Sequence, residues 1–366
     1  METDAMNRPR APASGATATA VLLLILVLAA CAPYKAWLKG QAENHATRHV
    51  AFWGEAWQSV PLAARLAPAP PALVEKIRLE NRLYGFPERP EPVPPEPVFA
   101  EAVRRIGDLL PERVRSLAEQ RIVGIYFVNG LGGTGYAEAI LDAKGKERYA
   151  VIVLDRDVLL TRRANAWASW KENSFFRPAA GAETALELIL ETGEEDSVVN
   201  AIVFILLHEL GHVLGMASCV HPSWNGPAEV SDAYPFTALS WRRQGSDVVG
   251  RSDPAFPRRS ALKPYAFAGA TLSLDEAPEI YRALQAHSDF PSAQAAVTLW
   301  EDFAESFATY LHVVRQGKPY EIRIRRPGRP EQVFPSCWRE ARCDAKRAFM
   351  RRWFETPVSP APPARP

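Results

Sequence analysis

His208-Glu209-Leu210-Gly211-His212 sets two imidazoles four positions apart, with a carboxylate beside the first. On an α-helix this spacing leaves about 40° between the two rings around the axis and roughly 6 Å along it, so both project from one face and can share one divalent ion. Glu209 flanks the pair. Its expected role is to take a proton from the attacking water and pass it to a leaving amine. Between Val198 and Leu214 the only polar side chains are Asn200, His208, Glu209 and His212, which predicts a buried helix with ionisable groups inside it. Burying such groups alone costs several kcal/mol, about what a bound ion or a hydrogen-bonded network must offset. Gly211 and Gly215 suit a helix that a second element approaches closely.

A zinc peptidase needs a third protein ligand and leaves the fourth position to water. One subclass, the metzincins, continues as H-E-x-x-H-x-x-G-x-x-H. His208, Glu209, His212 and Gly215 fit that pattern, but its last position is Ser218, and His221 three residues later would serve only with a different local turn. Downstream, the spacing predicts a second helix from Ser292 to Gln316, stopped by Gly317 and Pro319. Glu301 and Glu305 lie four apart beside its apolar face. Like charges at that spacing repel mildly, so a cation opposite them explains the pair better than a surface position does.

On these two stretches the chain resembles the gluzincins, zinc peptidases with H-E-x-x-H on one helix and a glutamate on a following one. Glu301-Asp302-Phe303-Ala304-Glu305-Ser306-Phe307 is similar to the glutamate helix of lethal-factor-type toxin peptidases. The resemblance implies that Glu301 completes the zinc site with His208 and His212, and that Glu305 supports a zinc-bound histidine from behind. It implies a zincin-like α+β fold: a small sheet packed on the active-site helix, and a mostly helical C-terminal part. Such enzymes often stabilise the oxyanion with a Tyr or His, for which Tyr265, Tyr281 and Tyr310 are candidates. His312 reads as a core or surface histidine.

The elements that must position these groups follow from pattern. Residues 34–84 read as helical, and residues 85–97, with six prolines in thirteen positions, as an extended linker. Phe99 to Gln120 has helical spacing. Arg121–Asn129, Tyr136–Asp142 and Arg148–Asp155 read as strands, with Lys144-Gly145-Lys146 as a turn. The strand before the active helix is expected to hold substrate by backbone pairing. Gly130 to Gly135 lacks the Lys-Ser/Thr of a phosphate-binding loop and reads as a turn. The chain from Pro222 to about Asp289 reads as a long loop. Tyr320–Arg326 alternates isoleucine with arginine, as an edge strand with a solvated basic face does.

Arg8 and Arg10 precede an apolar run from Ala20 to Ala30, too short to span a bilayer as a helix and consistent with a secretory leader over residues 1–30. Translation from Met6 would remove the acidic Glu2 and Asp4. Leu28-Ala29-Ala30-Cys31 resembles the lipobox of bacterial lipoproteins, which implies lipidation of Cys31 and attachment to a cell envelope membrane, the outer one facing the periplasm in a Gram-negative cell. The expected organisation is then a helical and proline-rich region at 31–97, a peptidase domain at 98–355 and a disordered tail at 356–366. Cys219, Cys337 and Cys343 remain for an oxidising compartment; Cys337 and Cys343 can pair around a turn, or either can bridge to Cys219. With 43 Lys and Arg against 42 Asp and Glu, the chain lacks the basic excess of a nucleic-acid coat. The expected partners are a peptide or protein substrate and a membrane, through the lipid. The rival from another class is a non-catalytic envelope lipoprotein with a structural metal; among hydrolases, amide cleavage in cell-wall peptides is the alternative.

Overall fold

The computed structural model describes residues 33–178 and 184–355. The segment expected to be a leader, Cys31 and the tail from residue 356 lie outside the described residues.

Residues 34–84 are not one helical region. Helix α1 (33–43) is followed by short 3-10 turns, the strand β1 (Leu66–Pro68) and helix α2 (Pro71–Tyr84). Gly54 at φ 64°, Pro61 and the prolines at 68, 70 and 71 interrupt the helical run. The proline-rich stretch contributes β2 (Glu91–Pro92), which pairs with a central strand. The helix predicted over 99–120 is two helices, α3 (Pro97–Leu109) and α4 (Glu112–Arg121). Pro111 lacks an N–H and drives Leu110 to an extended conformation, which ends α3.

The three strands expected next are present as β3 (Ile122–Asn129), β4 (Gly135–Leu141) and β5 (Glu147–Asp155). Sheet order is β1-β3-β5-β4, with β2 beside β3 beyond the end of β1. Strands β1, β3 and β5 are parallel and β4 runs antiparallel to β5. The glycine-rich segment after Asn129 is a turn that crosses the end of β5, held by Leu131 N–H donating to Asp155 at 2.9 Å. It delivers β4 to the outside of the sheet.

Helix α5 (Ala164–Asn173) and strand β6 (Ala185–Ile189) lead to α6 (Val198–Ala217), capped by Ser197, whose hydroxyl accepts from Asn200 N–H. α6 is long and apolar enough to cross a membrane, but it is buried in the protein, against the sheet and against α3, α4 and α5. The stretch after Pro222 is more ordered than a loop: it holds a hairpin (Trp241–Gln244 with Asp247–Gly250) and helix α7 (Ala277–His287).

The second helix begins seven residues later than predicted, as α8 (Leu299–Thr309). Thr298 caps it by accepting from Glu301 N–H at 3.2 Å. It continues as a π-turn through Arg315 and stops before Gly317, at φ 73°. β7 (Glu321–Arg325) is not an edge strand. It lies between β6 and β8 (Gln332–Pro335), buries Ile322 and Ile324, and pairs Arg323 with Glu321 and Arg325 with Glu187. Helix α9 (Asp344–Glu355) closes the C-terminal part. Cys337 and Cys343 are bridged, with Cα atoms 5.6 Å apart, and Cys219 is free. The architecture is α+β, with a five-stranded mixed sheet, a three-stranded antiparallel one and two two-stranded pairs among the described residues.

Candidate metal centre

α6 and α8 meet where Gly211 has no side chain: a Cβ there would stand 2.7 Å from Ala304 Cα and 2.8 Å from its carbonyl oxygen. Gly215 is filled the same way by the rings of Phe303 and His221. The close crossing brings the histidines of α6 to the first turn of α8, so residues far apart in sequence face each other.

His208, His212 and Glu301 each direct one donor atom to a common point, all within 4.8 Å of one another. The imidazole Nε2 atoms are 3.2 Å apart. Glu301 Oε2 is 3.4 Å from His208 Nε2, and its Oε1 is 3.5 Å from His212 Nε2. Bonds of about 2.0–2.1 Å at tetrahedral angles place neighbouring donors about 3.3 Å apart. The spacing and the two-nitrogen, one-carboxylate chemistry therefore fit a divalent ion. Gln294 donates to Glu301 Oε2 at 2.8 Å and fixes that carboxylate.

Behind the donors, Glu305 is fully buried. Its Oε1 stands 3.0 Å from His208 Nδ1 and 3.1 Å from Lys171 Nζ, and its Oε2 accepts from Ser292 at 2.7 Å. Burial alone would raise its pKa, but Lys171, His208 and Ser292 outweigh this and bring it down to about 2. His208 shows the mirror image: burial disfavours its cation, yet Glu301 and Glu305 raise its pKa to about 10. A buried imidazole that faces two carboxylates needs positive charge, which either a proton or a divalent ion at its Nε2 supplies. Burial also raises Glu209, partly countered by the two histidines. Its Oε2 is buried without a hydrogen-bond partner. Such an orphan on a carboxylate beside metal donors marks the place of a missing polar group.

The donors open onto a cavity of about 410 Å³ lined by Gly135 to Ala137 of β4, Trp224, Tyr265 and Gln294. Of the tyrosine candidates, only Tyr265 is there, its hydroxyl 3.0 Å from Thr134 Oγ1. Tyr281 donates instead to Glu172, and Tyr310 stacks on Phe354. His221 is buried and stacked on Trp224 outside the donor cluster, its Nδ1 2.9 Å from Pro222 O. His312 is a core histidine, with Nε2 2.9 Å from Leu190 O.

The strand immediately before α6 is β6, which belongs to the smaller sheet. The strand that lines the cavity is β4. Sequence reasoning missed Lys171, Ser292 and Gln294. Lys171 carried a faint signal, since it falls four residues after Trp167 on the buried face of α5. No protein-family model matches the chain, and no curated protein or solved structure is significantly similar to it.

Proposed function

We propose that the chain is a zinc peptidase of gluzincin type that hydrolyses peptide bonds, secreted and anchored through Cys31 in the bacterial cell envelope. The observation that carries the proposal is the triad of donors at tetrahedral spacing with an unpartnered carboxylate, Glu209, next to it on the same helix. Three converging donors favour a catalytic over a structural site, which closes with a fourth. A mixed sheet whose antiparallel edge strand lies over the histidine helix, with a glutamate on a later helix, supports a zincin-like arrangement. The Cys337–Cys343 bridge suits an oxidising compartment.

Zinc bound by His208, His212 and Glu301 would supply Lewis acidity toward the scissile carbonyl and the attacking water. Glu209 then accepts the proton of that water and delivers it to the departing amine. The β4 backbone and the base face each other: a methyl group on Gly135 would lie only 3.8 Å from Glu209 Oε1. A substrate strand paired to the outer edge of β4 passes directly over the base. Glu305, held by Lys171 and Ser292, fixes the ring of His208. Tyr265 is the side chain available to the carbonyl oxygen.

In the zinc-loaded Glu209→Gln variant, peptide hydrolysis should fall at least a hundredfold, roughly the scale of general-base catalysis, while zinc content stays that of wild type. Undiminished turnover would refute Glu209 as the base. Parallel assays on casein-type peptides and on cell-wall peptide fragments identify the substrate class.

A further inference from the structure

A second cavity, of about 430 Å³, adjoins the first along β4 and shares Gly135, Tyr136, Ala137, Trp224 and Tyr265 with it. Its far wall comes from the N-terminal region, including Ile77 and Tyr84 of α2 and Phe86 just beyond it. We propose that this cavity is a specificity pocket for an aromatic side chain of the peptide substrate, tyrosine above all, and that the N-terminal region is its wall. The proposal rests on the peptidase reading and adds the substrate class.

β4 pairs with β5 alone, apart from one bridge between His49 and Leu141 at its end, so its outer edge is open from Gly135 to Ile140 among the described residues. Successive side chains of a strand point to opposite faces. Ala137 and Ala139 pack toward the core that contains α6, and with Gly135 they leave the metal side of the edge low. Tyr136 packs on the other side, with Ile77 and Leu131, and Glu138 shares that face. A peptide added to this edge alternates in the same way. When one of its residues lies over the metal donors, its neighbours project into the N-terminal cavity.

The lining sets the chemistry. Ile77, Tyr84, Phe86 and Leu131 offer apolar and aromatic walls, and Phe86 lies so close over Gly132 that a Cβ there would meet its ring at 3.0 Å. Glu138 faces two cations, Lys76 at 2.6 Å and Arg48 at 3.7 Å, and Lys76 also pairs with Glu80 at 2.5 Å. With Lys39 and Glu43, which also line the cavity and pair at 3.6 Å, three acids and three bases balance, so the pocket has no call for a charged side chain. Glu138 Oε2 and the Tyr136 hydroxyl are nevertheless buried without partners. A neutral side chain with an aromatic body and a donor at its tip satisfies both the walls and the floor.

The test is binding of blocked octapeptides to the zinc-loaded Glu209→Gln protein, one position at a time varied among Ala, Phe, Tyr and Lys. At one position, or at two positions two residues apart, Tyr should bind at least tenfold tighter than Ala, and no weaker than Phe. The combined Tyr84→Ala and Phe86→Ala variant should cut the Tyr-to-Ala ratio at that position below threefold while zinc affinity is unchanged. Should that variant not fold, Tyr84→Ala alone, at a largely exposed position, should at least halve the ratio. No position favouring Tyr, a preference for Lys over Tyr, or an undiminished ratio in the variant used would overturn the pocket. Hydrolysis of the same peptides by wild type is scored separately: selective binding without any cleavage would refute the peptidase reading and leave the pocket standing.

Discussion

Lys171 contributes no donor atom to the centre, yet it decides the charge of the group that does the orienting. Its ammonium is buried against Glu305, whose other neighbours are the Nδ1 of His208 and the hydroxyl of Ser292. Without that cation, Glu305 would be a carboxylate at zero exposure with only a histidine and a serine to hold its charge. Lys171→Met should therefore weaken zinc binding by roughly ten- to a hundredfold, the usual effect of disturbing a ligand's outer partner, as read by competition with a chromophoric chelator. Lys171→Arg should recover most of the loss, and equal affinity in all three proteins would contradict the assignment. The four residues at the heart of the candidate centre, His208, Glu209, His212 and Glu301, were legible in the sequence because helix periodicity fixes their relations within each helix. Lys171, Ser292 and Gln294 were not. Nothing in local spacing says that α5, or the turn before α8, folds back on to Glu305 and Glu301.

The helices meet through an absence of side chain. At Gly211 an added methyl would strike the backbone of Ala304, which cannot rotate away. Gly211→Ala should cost about 1–3 kcal/mol, as overpacking does, despite the higher helix propensity of alanine, and it should weaken zinc binding by pushing α8 and Glu301 outward. Gly107 in α3 is the counterpart: a Cβ there meets only Arg115 Cδ, at an ordinary 3.7 Å. Gly107→Ala should stabilise the protein by up to about 1 kcal/mol and leave zinc affinity alone. Urea titrations of both variants check the two signs. Element boundaries were less legible than the crossing. Pro111 divides what apolar periodicity joined into one helix, and the start of α8 is set by the Thr298 cap, whereas the apolar stripe runs on upstream of it. β7 alternates as an edge strand would, yet tolerates an inner position because its arginines find acids: Arg323 pairs with Glu321 on β7 itself, and Arg325 with Glu187 on β6 and with Glu331 just before β8.

On the scale of the whole protein, a charge shut into the core should link stability to pH. Glu172 is fully buried beside Lys171 and accepts from Tyr281, and burial raises its pKa to about 7. The unfolded carboxyl titrates near the ordinary value of about 4.3, so between these limits the folded state holds the extra proton. Its contribution to stability is full below that window and is lost as pH rises through 7, a fall of about 4 kcal/mol. Glu172→Gln should flatten this slope, with melting temperatures at pH 5 and pH 8 as the measurement; parallel slopes in both proteins would exclude the group. The α+β class was readable from the strand and helix patterns. The role of the N-terminal part was not, since β1 and β2 are two or three residues long and owe their place to β3, a partner distant in sequence.

The proposed function requires one ion held jointly by α6 and α8, which metal analysis of purified protein after dialysis against zinc measures. Wild type should retain one zinc per chain, and His212→Ala and Glu301→Ala should each retain far less under the same conditions. A wild type that emerges without stoichiometric zinc, or a Glu301→Ala variant that still holds a full equivalent, would contradict it.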